Sequence, residues 1–408
     1  MTVSISHSPE QTRQAYDSAR AGMFPREPGT YIGRVHDPLR RAPVPVAYRE
    51  DALWDLSAVN PTVADLLDDE GAGEAIAAVT RRAPDWTTAE VRCELDDGGD
   101  PARDPLLLPP VDLQVLKACG VTYAGSMIER VIEERAHGDP AVAAEVRNAM
   151  RSELDLDLAD IVPGSDEAAR VKQFLSHRGW WSQYLEVGLG PDPEVFTKGP
   201  VLSSVGSGAA IGIPAFSHWN NPEPELVLIV TPGGRIAGVT LGNDVNLRDV
   251  EGRSALLLGM AKDNNRSTSL GPFIRLFDDA FSLEDAGELT IALNVTGADG
   301  FELEGINSVA ALSRSFESLV DAAYGPHHQY PDGFALFTGT LFAPTEDRDA
   351  PGEGFTHRPG DVVTIGNPRL GTLVNAVART EELPPWEYGI RTLWRDLARL
   401  RGNGDADA

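Results

Sequence analysis

Residues 222–244, PEPELVLIVTPGGRIAGVTLGND, decide how the fold is read. Two β-branched runs, Glu225–Val230 and Arg235–Leu241, flank Thr231-Pro-Gly-Gly234, which is the chemistry of a hairpin turn. In an extended strand, residues two apart point to one face, so Glu223 and Glu225 present their carboxylates together, with Cα atoms roughly 7 Å apart. Asp244 closes the partner strand and can join them. Two carboxylates about 4 Å apart repel by about 4 kcal/mol at an effective dielectric near 20. A hard cation removes that cost, and an all-oxygen ligand set suits Mg²⁺, with Mn²⁺ as the alternative, better than zinc.

Outward from the hairpin, the C-terminal half keeps the same character. Glu194-Val-Phe-Thr-Lys-Gly-Pro200, Gly208–Phe216, Glu288–Gly297 and Asp361–Gly366 are short, β-branched and punctuated by Gly and Pro. Helical spacing occurs at Ser126–Ala136, where Met127, Val131 and Ile132 share a side, and at Ala141–Leu154 behind Asp139-Pro140. Nearer the N-terminus, TYIGRV and VPVAYR read as strands, and Pro61 opens a short helix. The Asp/Gly/Pro-rich stretch from Asp96 to Pro110 marks a boundary. The expected organisation is a small α+β domain over 1–105 with a frayed start, a mostly β domain over 106–402 built on mixed sheets as a roll or sandwich, and a tail over 403–408. The class is α+β.

Charge narrows the function. With 35 basic against 62 acidic side chains the net charge is −27, which repels phosphate backbones and anionic lipid, so neither nucleic acid nor membrane is the expected partner. The first residues lack a secretory signal, no apolar run reaches membrane-span length, and Cys93 and Cys119 cannot form a disulfide framework. A cytoplasmic setting is expected. Lysine stands at only four positions, Lys117, Lys172, Lys198 and Lys262. An arginine-based, acidic surface fits either a high-salt cytoplasm or a GC-rich coding sequence.

The order Glu223-x-Glu225, Gly242-Asn-Asp-Val245, Arg248, Arg253, Ala261-Lys-Asp263, Gly271-Pro272 resembles the signature of the fumarylacetoacetate hydrolase superfamily, over roughly Leu106 to Leu400. That resemblance implies Glu223, Glu225 and Asp244 as ligands of one Mg²⁺ and Lys262 as the catalytic lysine facing substrate. A 2-oxo acid suits such a site, because its carboxylate and keto oxygen form a bidentate chelate that acidifies C3, with Lys262, its pKa lowered by partial desolvation, as base. Hydrolases of the family carry His and Glu in an N-Y-A-x-H-x-x-E segment. Here Thr122–Glu129 places Ser126 at the histidine position and keeps Glu129, so the imidazole suited to activating water is missing. The departure favours elimination, with Glu129 as acid.

Trp181–Gly188, Phe196–Pro200, Ser217–Asn221 and His328–Thr340 resemble the branch that dehydrates 2-keto-3-deoxypentonates to 2,5-dioxopentanoate. The resemblance then implies substrate contacts from Lys198, Thr340, Ser126 and Asn221, with Ser203 and Ser204 as weaker candidates, and a homodimer or homotetramer. Two other readings compete with this hydro-lyase. One is an acylpyruvate- or fumarylpyruvate-type C–C hydrolase; the other is a metal-binding protein without activity.

Overall fold

A computed structural model describes residues 10–153, 161–177, 179–341, 346–348 and 354–404. Ten strands run through one sheet in the order Trp86–Thr87, Ala52–Asp55, Ala42–Arg49, Tyr31–Asp37, Thr268–Leu276, Ile236–Asp244, Pro224–Val230, Phe334–Phe337, Val115–Gly120 and Glu194–Gly199, with Leu106–Leu108 added beside Tyr31–Asp37. A five-stranded sheet follows the order Glu302–Ser308, Thr290–Thr296, Val362–Asn367, Gly371–Arg379 and Ala209–Ile213. Most pairs are antiparallel, but Phe334–Phe337 runs parallel to Val115–Gly120, and Gly371–Arg379 parallel to Ala209–Ile213. The sheets are mixed and the class α+β, though helices hold nearly as many residues as strands.

The hairpin of 222–244 is the spine of the molecule. Leu226, Leu228 and Val230 pack with Ile291, Leu293 and Ile365 of the second sheet. Val227 and Ile229 point the other way, into a cluster with Ile32, Trp54 and Phe337. Because both faces are covered, every position of Pro224–Val230 is buried, and the sequence reads as a continuous apolar run without alternation.

Strand pairing crosses the boundary expected near residue 105. Tyr31 and Ile32 pair with Arg275 and Ile274, and Arg34 to His36 pair with Leu108 to Leu106, so the N-terminal strands extend the catalytic sheet. Glu10–Arg20 is a helix whose buried Tyr16 donates to Asp96 at 2.8 Å, while residues 1–9 of the expected frayed start lie outside the described residues. The helix after Pro61 begins only at Val63. Thr62 caps it by accepting from Asp65 N, and Asp112 accepts from Val63 N and Ala64 N at 2.7 and 3.1 Å. The last helix, Ile390–Gly404, runs into the expected tail, and 405–408 lie outside the described residues, as does Leu154.

Four helices, Ala124–Arg135, Pro140–Glu153, Asp166–His177 and Gln183–Leu189, form a cap with its own core of Met127, Val131, Ile132, Leu175 and Leu185. Asp139 caps the second by accepting from Ala141 N at 2.9 Å. Among the described residues no helix is long and apolar enough to cross a membrane.

Candidate active site

Glu223, Glu225 and Asp244 converge as the pairing of their strands requires. Pro224 lies opposite Asn243, and Asp244 N donates to Glu223 O at 3.1 Å, which holds the two strand ends together. Asn243 Oδ1 accepts from Glu223 N at 3.1 Å. One oxygen from each carboxylate lies within 4.8 Å of the others, and all three residues are buried.

Three cations and one amide answer this charge. Lys262 Nζ lies 2.5 Å from Glu223 Oε2 and 3.2 Å from Asp244 Oδ2. Lys198 Nζ lies 3.1 Å from Asp244 Oδ1, and Arg130 Nη2 lies 2.5 Å from Glu223 Oε1. Glu225 accepts from Gly339 N at 2.6 Å and has no ion pair among the described residues. Burial, then the charges of Asp244 and Glu223, pushes its carboxyl well above the usual range. Burial also raises Glu223, against the pull of Lys262 and Arg130. Carboxyls pushed up by burial and by one another's charge are the donor chemistry that a divalent cation fits.

The lysines differ from expectation. Burial acts to lower Lys262, yet Asp244, Glu223 and Glu251 outweigh it and hold the amine as an ammonium. Burial prevails at fully enclosed Lys198, whose pKa falls. Lys198 is also anchored, donating to Lys262 O and to Ser267 O and Oγ at 3.0 and 3.1 Å. Those partners use the ammonium's donors on protein atoms, which fits a residue that positions Asp244 rather than one that grips substrate.

Glu129 is not brought to the triad. Arg147 grips it through two hydrogen bonds of 2.9 and 2.6 Å, and Arg248 approaches at 3.7 Å. The helical period explains this, because the next residue, Arg130, is the one facing Glu223. From there the network continues to Glu133 and Glu251, with Arg130 Nη1 at 2.5 and 3.0 Å.

A carboxylate not singled out from the sequence stands nearer. Glu194 lies on the strand that carries Lys198, and alternation puts Glu194, Phe196 and Lys198 on one face. Lys262 Nζ lies 5.8 Å from the Phe196 ring. Gly120 is the partner of Glu194 in the sheet, and a Cβ there would lie 1.9 Å from Glu194 Oε2, so the carboxylate rests where Gly120 lacks a side chain. Burial raises its pKa to about 7, with Glu251 adding to the shift and Arg130 and Lys262 opposing it. No hydrogen bond or ion pair ties it to another described residue. The signal was present in the period-2 register of Glu194 with Lys198.

Thr340 is buried one residue beyond Gly339, whose amide binds Glu225. Asn221 is buried at the strand end before Glu223; its Nδ2 donates to Pro222 O and its Oδ1 has no partner among the described residues. Ser126 Oγ donates to Tyr123 O at 2.9 Å within the first turn of its helix.

Residues 177–378, about half of the chain, match the family described as fumarylacetoacetate (FAA) hydrolase, C-terminal. The chain belongs to the fumarylacetoacetate hydrolase family. Within that family it is similar to a probable 2-keto-3-deoxyxylonate dehydratase of Haloferax volcanii, 28% identical over 334 residues that span 81% of this chain and 94% of the relative. It is also 29% identical, over 191 residues, to a 2-dehydro-3-deoxy-D-arabinonate dehydratase of Saccharolobus solfataricus, covering 47% of this chain and 60% of that one. A solved 2-keto-3-deoxy-D-arabinonate dehydratase complexed with magnesium and 2,5-dioxopentanoate shares the fold, with a TM-score of 0.57 and 20% identity over 86% of this chain and 99% of that one.

Proposed function

We propose that the chain is a Mg²⁺-dependent hydro-lyase that converts a 2-keto-3-deoxypentonate, derived from D-xylonate or arabinonate, to 2,5-dioxopentanoate. The observation that carries this reading is the pairing of a buried three-carboxylate cluster with a partly buried Glu194 near neutral pKa, in a site where Ser126 replaces the histidine of the hydrolases. When bound, a divalent cation held by Glu223, Glu225 and Asp244 would supply the Lewis acid that polarises the 2-oxo group and acidifies C3.

The protein's own groups then divide the proton work. Lys262 owes its ammonium form to Glu223 and Asp244. Sharing Glu223 and Asp244 with a cation would lessen their hold on the proton, and Lys262 is the group placed to take a C3 proton. Glu194, titrating near neutrality, protonates the departing C4 hydroxyl, and tautomerisation leaves an aldehyde at C5 with the net loss of one water. Glu129 instead fixes the cap through Arg147, and Arg130 and Lys198 hold Glu223 and Asp244 in place.

The same reading places the reaction in oxidative pentose degradation in the cytoplasm, with Mn²⁺ able to replace Mg²⁺ and the chain working as a homodimer or homotetramer. The Haloferax relative and the charge of −27 support a high-salt setting. The test is proton exchange at C3 in deuterated water. Glu194→Gln is expected to retain exchange while elimination slows, and Lys262→Ala to lose both. Equal loss of exchange and elimination in Glu194→Gln would remove Glu194 from the leaving-group step.

A further inference from the structure

Behind the metal centre, where the N-terminal strands meet the segment before the last helix, lies a cavity of about 380 Å³. Arg34, His36, Ser204, Asn265, Trp386 and Tyr388 are among its lining residues, and none of the three carboxylate ligands is.

Arg34 is 4% exposed, on the strand Tyr31–Asp37. Its Nη1 donates to the carbonyls of Val111 and Pro109, while Nε and Nη2 donate to no described residue. It forms no ion pair among the described residues, although acidic side chains outnumber basic ones 62 to 35 in this chain. The nearest anion is no substitute, because the oxygens of Asp112 are occupied by the amides of Val63, Ala64 and Leu113. A buried, uncompensated guanidinium is costly, and its cost falls when an anion is supplied. Ser204, 8% exposed, leaves its Oγ buried in the same wall and without a partner among the described residues.

The remaining wall defines what accompanies the negative charge. Leu106, Leu107, Pro109 and Trp386 are apolar or aromatic. Tyr388 presents its ring while its hydroxyl donates to Asp396 at 2.7 Å. Of the two carboxylates lining the cavity, Glu94 is taken by Arg266 at 2.6 and 3.0 Å, and Glu387 is exposed. The Nε–Nη2 edge of a guanidinium offers two parallel donors that match the two oxygens of a carboxylate.

The geometry points to a second binding site, for a small organic carboxylate with an apolar body, gripped by Arg34 and Ser204 and covered by Trp386 and Tyr388. Its floor adjoins the turn that holds Lys198 and Lys262. Asn265 and Arg266 line the cavity and belong to the turn closed by Ser267 N donating to Asn264 O at 3.0 Å, and Ser267 holds both Lys198 Nζ and Lys262 O. An occupant therefore bears on the turn that positions Lys198 and, through it, Asp244.

Benzoate is the probe, titrated calorimetrically into the full-length, Mg²⁺-loaded protein. Saturable binding is expected, weakened about tenfold to hundredfold in Arg34→Gln and weakened likewise in Ser204→Val, which removes the buried hydroxyl and leaves the guanidinium in place. Glu225→Gln, which alters only the metal centre, is expected to bind benzoate as the wild type does. Circular dichroism confirms that each variant is folded, and Ser204→Val carries the test if Arg34→Gln is not. Binding unaffected by Ser204→Val, binding lost in Glu225→Gln, or no binding to folded wild type up to about 10 mM would each overturn the assignment.

Discussion

Glu225 is the residue on which the proposed metal binding turns, because burial and the charges of Asp244 and Glu223 push its carboxyl well above the usual range. Its raised pKa means that affinity for Mg²⁺ increases as pH rises, and that binding releases a proton. Calorimetry in buffers of different ionisation enthalpy should show that release, and Glu225→Gln should abolish it together with most of the affinity. Glu194 gives a second pH signature. Its folded value of about 7 lies above a glutamate's ordinary 4.5, so its contribution to stability is complete below about 4.5 and is lost as pH rises through 7. The metal-free protein is therefore expected to melt at lower temperature at pH 8 than at pH 5, and Glu194→Gln to flatten that dependence. As the acid in elimination it acts protonated, so kcat should fall above neutrality. In Glu194→Gln the fall should disappear along with about 10²–10⁴-fold of the rate, with Mg²⁺ affinity unchanged. Glu129→Gln, by contrast, should leave kcat near wild type.

Elements deliver these residues, and two can be tested separately. Gly120 matters only through the strand beside it, since a Cβ would displace the Glu194 carboxylate and little else. Gly120→Ala should therefore lower kcat while leaving the melting temperature almost unchanged, because the atom displaced is the end of a flexible side chain. Arg130 ties the cap helix Ala124–Arg135 to Glu223, Glu133 and Glu251. Arg130→Met leaves buried Glu251 without its ion pair and strips one cation each from Glu223 and Glu133, and should cost about 3–5 kcal/mol in urea unfolding. The hairpin and its metal triad were legible in the sequence, because strand alternation and a tight turn place Glu223, Glu225 and Asp244 by local rules alone. The acid was not. The Ser126–Glu129 spacing locates a helix but not its rotation, and that rotation gives Glu129 to Arg147 and Arg130 to the site. Lys262 was located by motif, while its charge state depended on neighbours brought from other strands.

Across the whole molecule, the pairing that crosses the boundary expected near residue 105 was illegible for the same reason. A Gly/Pro/Asp-rich loop is a local feature, whereas the pairing of Tyr31 and Ile32 with Arg275 and Ile274 spans the chain. Truncation to 106–408 strips the sheet of those strands, and the fragment is expected to be insoluble or to lack a cooperative transition. The intact protein should unfold in one. The charge of −27 also predicts a melting temperature that rises with added KCl as screening relieves self-repulsion. The central claim is elimination without cleavage of a carbon–carbon bond, and product analysis tests it most directly. Purified protein with Mg²⁺ and 2-keto-3-deoxy-D-xylonate or its arabinonate counterpart, followed by carbon-13 NMR, should yield 2,5-dioxopentanoate with neither pyruvate nor CO₂. Splitting of acylpyruvates into pyruvate and a carboxylic acid at a higher kcat/KM would contradict it.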